Sequence, residues 1–413
     1  MFGLQVPPEE KTTKSELEKY LPHEQLNLFK EVKKLSFNPK TFDAYSKLLT
    51  QYPLVTFPSS HLLILQEQVR TLNDKNLIGF TDSLKDFFDH FVSQIIPNPS
   101  VAADYKIELE RHFVDIIQRV ERFAQKNPEI LQQLVPLVVH LLSCCEQNII
   151  TPYHALLAHI QFALRDYEEG KTLYKTKYHG VSPAMNAKTM QLYLYYAGCL
   201  AMFNRDMKEA YFLFDQCVTL PEKKVTPQVV AAWKKATMMS LIVHHLPYKI
   251  KQNAFLSSFI EYYQDAEVYK KITEAFMAAP EKISYIINVL GEQLRKDGNF
   301  GLAQQVEISY MYYGIKKVSK AFNKITIGEL AKRIKLDEKE FERNLRKLIA
   351  GGFVRGHLEG NIYDFGESPI ETGDMNEMME ELKAAERIFT MMRDHLTRRE
   401  EERDARMIAE MDQ

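Results

Sequence analysis

The chain has only four cysteines in 413 residues, and they form neither a disulfide framework nor a C-x-x-C metal knuckle. Cys144 and Cys145 are adjacent while Cys199 and Cys217 stand alone, a usage that fits a reducing, intracellular compartment. Long apolar runs are also missing. The longest, Leu134 to Cys145, is interrupted by Pro136 and His140 and falls short of the roughly 20 residues needed to cross a bilayer. Met1 to Lys14 has no basic stretch followed by an apolar core, so no secretory leader is expected. Charge of either sign is not in excess. The net charge of −2 argues against a general nucleic-acid binder and leaves only local patches to weigh. Hydrophobic content of 45% and charged content of 26% suit a soluble globular chain. The length allows roughly two to three domains, each able to bury a core.

Catalytic signatures are scarce as well. Gly170-Lys171-Thr172 resembles the end of a phosphate-binding loop, but that loop needs a glycine where Arg165 stands, and a preceding strand where the pattern is helical. Gly170 reads better as the small position of a helical repeat. His140 and Cys144 share one helix face, yet no second pair of metal ligands accompanies them. His244-His245, and His154 with His159, lack ligand spacing on one face. Neither an H-x-H followed by a distant Asp nor a Gly-x-Ser-x-Gly elbow is present. A cysteine nucleophile stays open, because its histidine partner can lie anywhere in the chain. No catalytic, cofactor-binding or metal-ligating residue is assigned, and no cofactor is expected.

Helical periodicity fills most of what remains, and clean strand alternation is rare. Segments 15–35, 40–51, 59–71, 75–95, 103–126 and 128–146 each read as helices broken by X-Pro turns. In the middle, Ala158, Gly170 and Tyr174 recur as Gly198, Ala210 and Phe214, each 40 residues on. That pattern is tetratricopeptide-like: small residues let paired helices approach, and an aromatic fills the groove. The signature tryptophan of that motif is absent and the period is longer than its ~34 residues. A further pair, 228–245 and 254–263, continues less regularly.

Residues 307–366 differ in character. Asp337 with Glu340 sets an N-cap for a helix through Ala350, which carries Phe341, Leu345, Leu348 and Ile349 at helical spacing. Gly351-Gly352 ends it. Phe353 to Leu358, a Glu359-Gly360 turn and Asn361 to Phe365 then read as a β-hairpin, the wing of a winged helix. After a break at 369–374, Met375, Met378, Leu382, Ala385, Phe389, Met392 and Leu396 form a heptad seam. This last helix either folds back on its own domain or joins helices of other chains, and its methionines favour an adaptable interface. The fold class expected is mostly α: a helical-repeat solenoid at 1–191, a unit at 192–366 made of repeats (192–305) and a winged helix (306–366), and a helical tail at 367–413.

A winged helix raises DNA binding. In the helix from Asp337 to Ala350, four cations (Lys339, Arg343, Arg346, Lys347) are cancelled by Asp337, Glu338, Glu340 and Glu342, whereas phosphate contact demands an uncompensated positive face. The stretch from Lys316 to Lys335 is more basic, and a solvated helix face is the better reading of it. The other use of a wing is mechanical, since an edge strand offers free N–H and C=O groups to a neighbour's sheet.

The run from Leu192 to Gly366 resembles a PCI module, the helical-repeat and winged-helix unit shared by the proteasome lid, the COP-nine signalosome and a translation initiation complex. Within it, Tyr193 to Gly198, Asp297-Gly298-Asn299-Phe300-Gly301-Leu302 and Ile325 to Ile334 are similar to the third-subunit family of the signalosome, while residues 1–150 match in helical character only. The resemblance implies a non-catalytic scaffold, cytoplasmic and nuclear, in a complex that removes a ubiquitin-like modifier from cullins. Its partners would be other PCI-domain and metalloprotease-containing subunits, and indirectly cullin-RING ligases, with no membrane and no nucleic acid. It also implies two contact surfaces: the wing, through Phe353, Val354, Arg355, Leu358, Ile362, Tyr363 and Phe365, and the tail helix, through Met375, Met378, Leu382, Phe389, Met392 and Leu396. The alternatives it leaves are a lid or initiation-complex scaffold and a weak nucleic-acid-binding winged helix.

Overall fold

The computed structural model describes residues 45–366, apart from breaks at 48, 50–57, 70–71, 73–75, 96, 100–102, 125–127, 146–147, 221–223, 251–252, 351–353 and 355. The helices expected over 15–35 and in the tail lie outside the described residues. The chain divides into two units, one comprising 1–166 with 180–186 and the other 167–179 with 187–413.

In the first unit, α1 (Pro58–Gln68), α2 (Leu77–His90), α3 (Ala103–Ala124), α4 (Pro128–Cys144) and α5 (Pro152–Leu164) follow one another closely, and α2 runs on into a π-turn at Phe91–Ile95. The expected segments 59–71, 75–95, 103–126 and 128–146 match these helices. The reason is visible in α3, where Leu109, Phe113, Ile116, Ile117 and Val120 recur at helical spacing and are all buried. Phe113 stacks within 5.5 Å of Phe87 and 5.8 Å of Phe88, so the α2–α3 contact is largely aromatic. Pro136 sits within α4 without ending it. The backbone N–H of Thr151 donates to His154 Nδ1 (3.0 Å) and closes the first turn of α5. Two short strands, β1 (Ile149–Ile150) and β2 (Gly180–Val181), pair in parallel.

The second unit begins with α6 (Lys171–Lys175), α7 (Ala187–Phe203) and α8 (Met207–Thr219). It continues through α9 (Pro227–Val243), α10 (Ala254–Tyr262), α11 (Ala266–Ala278), α12 (Ile283–Val289), α13 (Gly291–Lys296) and α14 (Phe300–Ser319). The repeat read in the sequence has a physical basis here. Gly198 of α7 faces Phe214 of α8 so closely that a Cβ at 198 would lie 2.8 Å from the ring. Phe214 is fully buried, and such a side chain contributes about 2–3 kcal/mol by leaving water. Caps set the starts of the later helices: Thr226 Oγ1 accepts from Val229 N (3.3 Å) ahead of Pro227, and Asn253 Oδ1 accepts from Leu256 N (2.9 Å). Helices dominate and strands are few and short, as expected. Among the described residues no helix is long and apolar enough to cross a membrane.

Candidate functional site

The winged helix is built on α14, β3 (Lys324–Thr326), α15 (Ile327–Ile334), α16 (Glu338–Ala350), β4 (His357–Glu359) and β5 (Ile362–Asp364). Asp337 Oδ1 accepts from Glu340 N (3.0 Å), the cap that the sequence indicated. Leu330, Ile334, Phe341, Leu345 and Tyr363 meet in one core that ties the sheet to the helices. Gly356, at φ +121°, admits no side chain, because a Cβ there would lie 2.4 Å from the Asp364 carbonyl oxygen.

The sheet differs from the expected hairpin in one respect that matters for pairing. It has three strands in the order β3-β5-β4, so β5 is central and its backbone is occupied on both sides. The Lys324–Thr326 strand has no local signature, because its three residues owe their extended form to pairing with β5 rather than to their own pattern. The N–H of Ile327 donates to Asn361 O and that of Phe365 to Asn323 O, which makes Ile325 and Tyr363 the hydrogen-bonded pair. Tyr363 therefore turns its backbone groups toward β3. Its other partner, Leu358, is left with its N–H and C=O directed at the free margin of β4.

Among the wing residues expected at an interface, Val354, Tyr363 and Phe365 lie in the module's own core, and Leu358 packs partly against it. Of those among the described residues, only Ile362 is exposed, on the outer face of the central strand. Phe353, Arg355 and the tail residues Met375 to Leu396 lie outside the described residues.

Several basic groups of the wing have an acidic partner nearby. Arg346 bonds Glu342 (2.6 Å), and Arg333 bonds Glu329 (2.9 Å) while lying 4.7 Å over the Phe322 ring. Lys324 bridges Asp364 (2.8 Å) and Glu359 (3.3 Å), which raises its own pKa and lowers the Asp364 carboxylate, while Glu359 is lowered first by its hydrogen bond with His357 (3.0 Å) and then by Lys324. His357, Glu359 and Asp364 stand close enough to hold a cation, and the Lys324 ammonium already supplies that charge. These pairs reduce the uncompensated positive face that phosphate contact needs.

A buried polar network marks a second place of note. Gly298, at φ +67°, turns the chain between α13 and α14 and presents Asp297 and Asn299 to α9. Lys234 Nζ lies 2.9 Å from Asp297 and 3.7 Å from Asp265, and Tyr269 Oη donates to Asp297 (2.7 Å). Asn299 Nδ2 donates to Tyr269 Oη (2.8 Å), while Lys235 Nζ donates to Asn299 Oδ1 (2.6 Å). Burial pulls the pKa of Lys234 down but the Asp297 carboxylate outweighs it, so that amine ends above its ordinary value; burial pushes the Lys235 amine down. The sequence offered Asp297-Gly298-Asn299 only as part of a likeness, and a Lys-Lys pair gives no sign of burial.

The family model described as COP9 signalosome complex subunit 3, N-terminal helical repeats, matches residues 28–252, more than half of the chain. The chain belongs to this family. Relatives within it include the COP9 signalosome complex subunit 3 of Drosophila melanogaster, 27% identical over 249 residues, which are 58% of this chain and 54% of that protein. The Caenorhabditis elegans protein of the same name is 21% identical over 222 residues, 52% of this chain and 44% of its own. The chain thus spans about half the length of the curated relatives it matches. The family match includes α1 to α5, the region where the sequence offered only helical character, and stops before the wing.

Proposed function

We propose that the chain is a non-catalytic scaffold subunit of the COP9 signalosome, holding other subunits together while a metalloprotease subunit removes a ubiquitin-like modifier from cullins. The observation that carries this reading is family membership over 28–252, joined in one chain to a winged helix with an open sheet margin. Its partners are other PCI-domain and metalloprotease-containing subunits, and it works in cytoplasm and nucleus. The working division is a repeat region at 1–191, a PCI module at 192–366 and a tail at 367–413 whose Met375–Leu396 seam enters a shared helical bundle.

On this reading the wing docks through backbone rather than through its buried side chains. A neighbouring strand adds to β4 at Leu358, and Ile362 lies at the rim of that contact. Leu358→Pro removes one outward N–H in a position an edge strand tolerates. The variant should fold and lose neighbours when the complex is purified through this chain; retention of every neighbour at normal stoichiometry would refute edge pairing. Truncation after Ser368 tests the tail separately, and unchanged assembly would refute the bundle.

A further inference from the structure

The two faces of the wing sheet are chemically unlike where they reach the β4 margin. By register, Ile325, Tyr363 and Leu358 lie side by side on one face, and the burial of Ile325 and Tyr363 makes that the core face. Leu358 ends this row and packs only partly against the core. Neighbouring strands stand about 5 Å apart, so the residue that an added strand sets opposite Leu358 lands on its uncovered flank, and an apolar side chain there continues the row.

The opposite face carries charge. Two rows cross it: Lys324, Asp364 and His357 form one, and Thr326, Ile362 and Glu359 the other. The Lys324 ammonium is shared between Asp364 (2.8 Å) and Glu359 (3.3 Å), so two carboxylates draw on one ammonium, and Glu359 is the one that ends its row at the margin. The hydrogen bond with His357 (3.0 Å), and then Lys324, hold the Glu359 carboxylate below its ordinary value, so it stays ionised. Its side chain is still 56% exposed, and Ile362, its register partner on β5, is exposed as well. A long basic side chain set opposite Glu359 would direct its alkyl stem toward Ile362 and its head onto the carboxylate. An acidic side chain there would oppose like charges.

Resting on edge pairing at β4, we propose that the strand this margin accepts from a neighbouring subunit carries an apolar residue facing Leu358 and, next to it in sequence, a Lys or Arg facing Glu359. Glu359 is then the residue by which the wing tells one strand from another. Backbone hydrogen bonding has no such preference, because every strand offers the same N–H and C=O groups, and side chains at alternate positions supply the selection.

The test uses the full chain expressed in cells, with p-benzoyl-phenylalanine replacing His357, which stands on β4 at the margin and outside the proposed pair. After irradiation, the crosslinked peptide should come from another protein and hold, within two residues of the crosslink, an apolar residue with a Lys or Arg next to it. Glu359→Lys turns a cross-strand attraction into a repulsion and should cut the yield about tenfold. Changing the partner's Lys or Arg to Glu should cut it likewise, and the two changes together should restore it, which a folding defect in either chain would not allow. Leu358→Pro separates this proposal from the reading beneath it. A crosslink lost on Leu358→Pro but unchanged by Glu359→Lys overturns the proposal and leaves edge pairing standing, whereas a yield unchanged by both removes edge pairing as well. No crosslinked peptide, a peptide from this chain itself, a peptide without the basic residue, or a double change that fails to restore the yield would each overturn the proposal.

Discussion

Removing the Asp297 carboxylate should expose how the second unit is held together. Asp297→Ala strips Lys234 of its 2.9 Å partner and Tyr269 of its acceptor, while both side chains stay largely buried. Breaking a buried pair from one side costs about 3–5 kcal/mol, because the remaining charge stays desolvated. Asp265, 3.7 Å from Lys234 and 39% exposed, recovers part of that, so about 3 kcal/mol is expected. Lys234→Met alone leaves Asp297 with its Tyr269 donor and should cost less. The double variant Lys234→Met, Asp297→Asn removes both charges, keeps a group at 297 able to accept from Tyr269, and should cost no more than about 1–2 kcal/mol, less than Asp297→Ala alone. Urea unfolding of the full chain, followed at Trp233, reads this unit because Trp233 packs 5.6 Å from Tyr269. A double-variant loss as large as that of Asp297→Ala, or an Asp297→Ala loss below about 1 kcal/mol, would refute the view that Asp297 is the keystone of the network.

In the first unit two half-buried groups pull stability in opposite senses with pH. Burial raises Glu110 to about 7, so its contribution is complete below the unfolded carboxylate value and is lost as pH rises through about 7. Burial lowers His154 to about 4, so its contribution is present above about 6.5 and is lost as pH falls toward 4. Between pH 4.5 and 6.5 the two nearly cancel. Glu110→Gln should uncover a stability that rises with pH across that window by about 2 kcal/mol in denaturant melts; a flat profile would refute the assignment. Gly198→Ala, which drives a Cβ into the buried Phe214 ring, should destabilise by about 1–2 kcal/mol despite a gain in helix propensity. Gly301→Ala in α14 meets nothing within 4 Å and should hold or raise the melting temperature, so equal shifts at the two sites would refute the close approach.

The helical part of this fold is legible because it is written in local spacing. Phe113 and its neighbours in α3, the Asp337 cap of α16 and the small-to-aromatic pairing of Gly198 with Phe214 are each set by residues within one helix or one helix pair. What escaped depends on distant partners. Lys324–Thr326 becomes a strand only against β5, and that pairing makes β5 central and leaves the margins to β3 and β4. Val354, Tyr363 and Phe365 read as wing residues in sequence, yet the helices of the module claim their side chains. Lys234 and Lys235 look like a solvated pair, and their burial follows from partners 63 and 64 residues away.

The central claim is that this chain works by joining others. Purifying the native particle through the full chain, identifying its members by mass spectrometry and assaying isopeptide cleavage by the particle and by the isolated chain tests it most directly. The account predicts several PCI-domain subunits and a metalloprotease subunit in the particle, with cleavage by the particle and none by this chain alone. A solitary, monodisperse chain, or cleavage by that chain unaided, would contradict it.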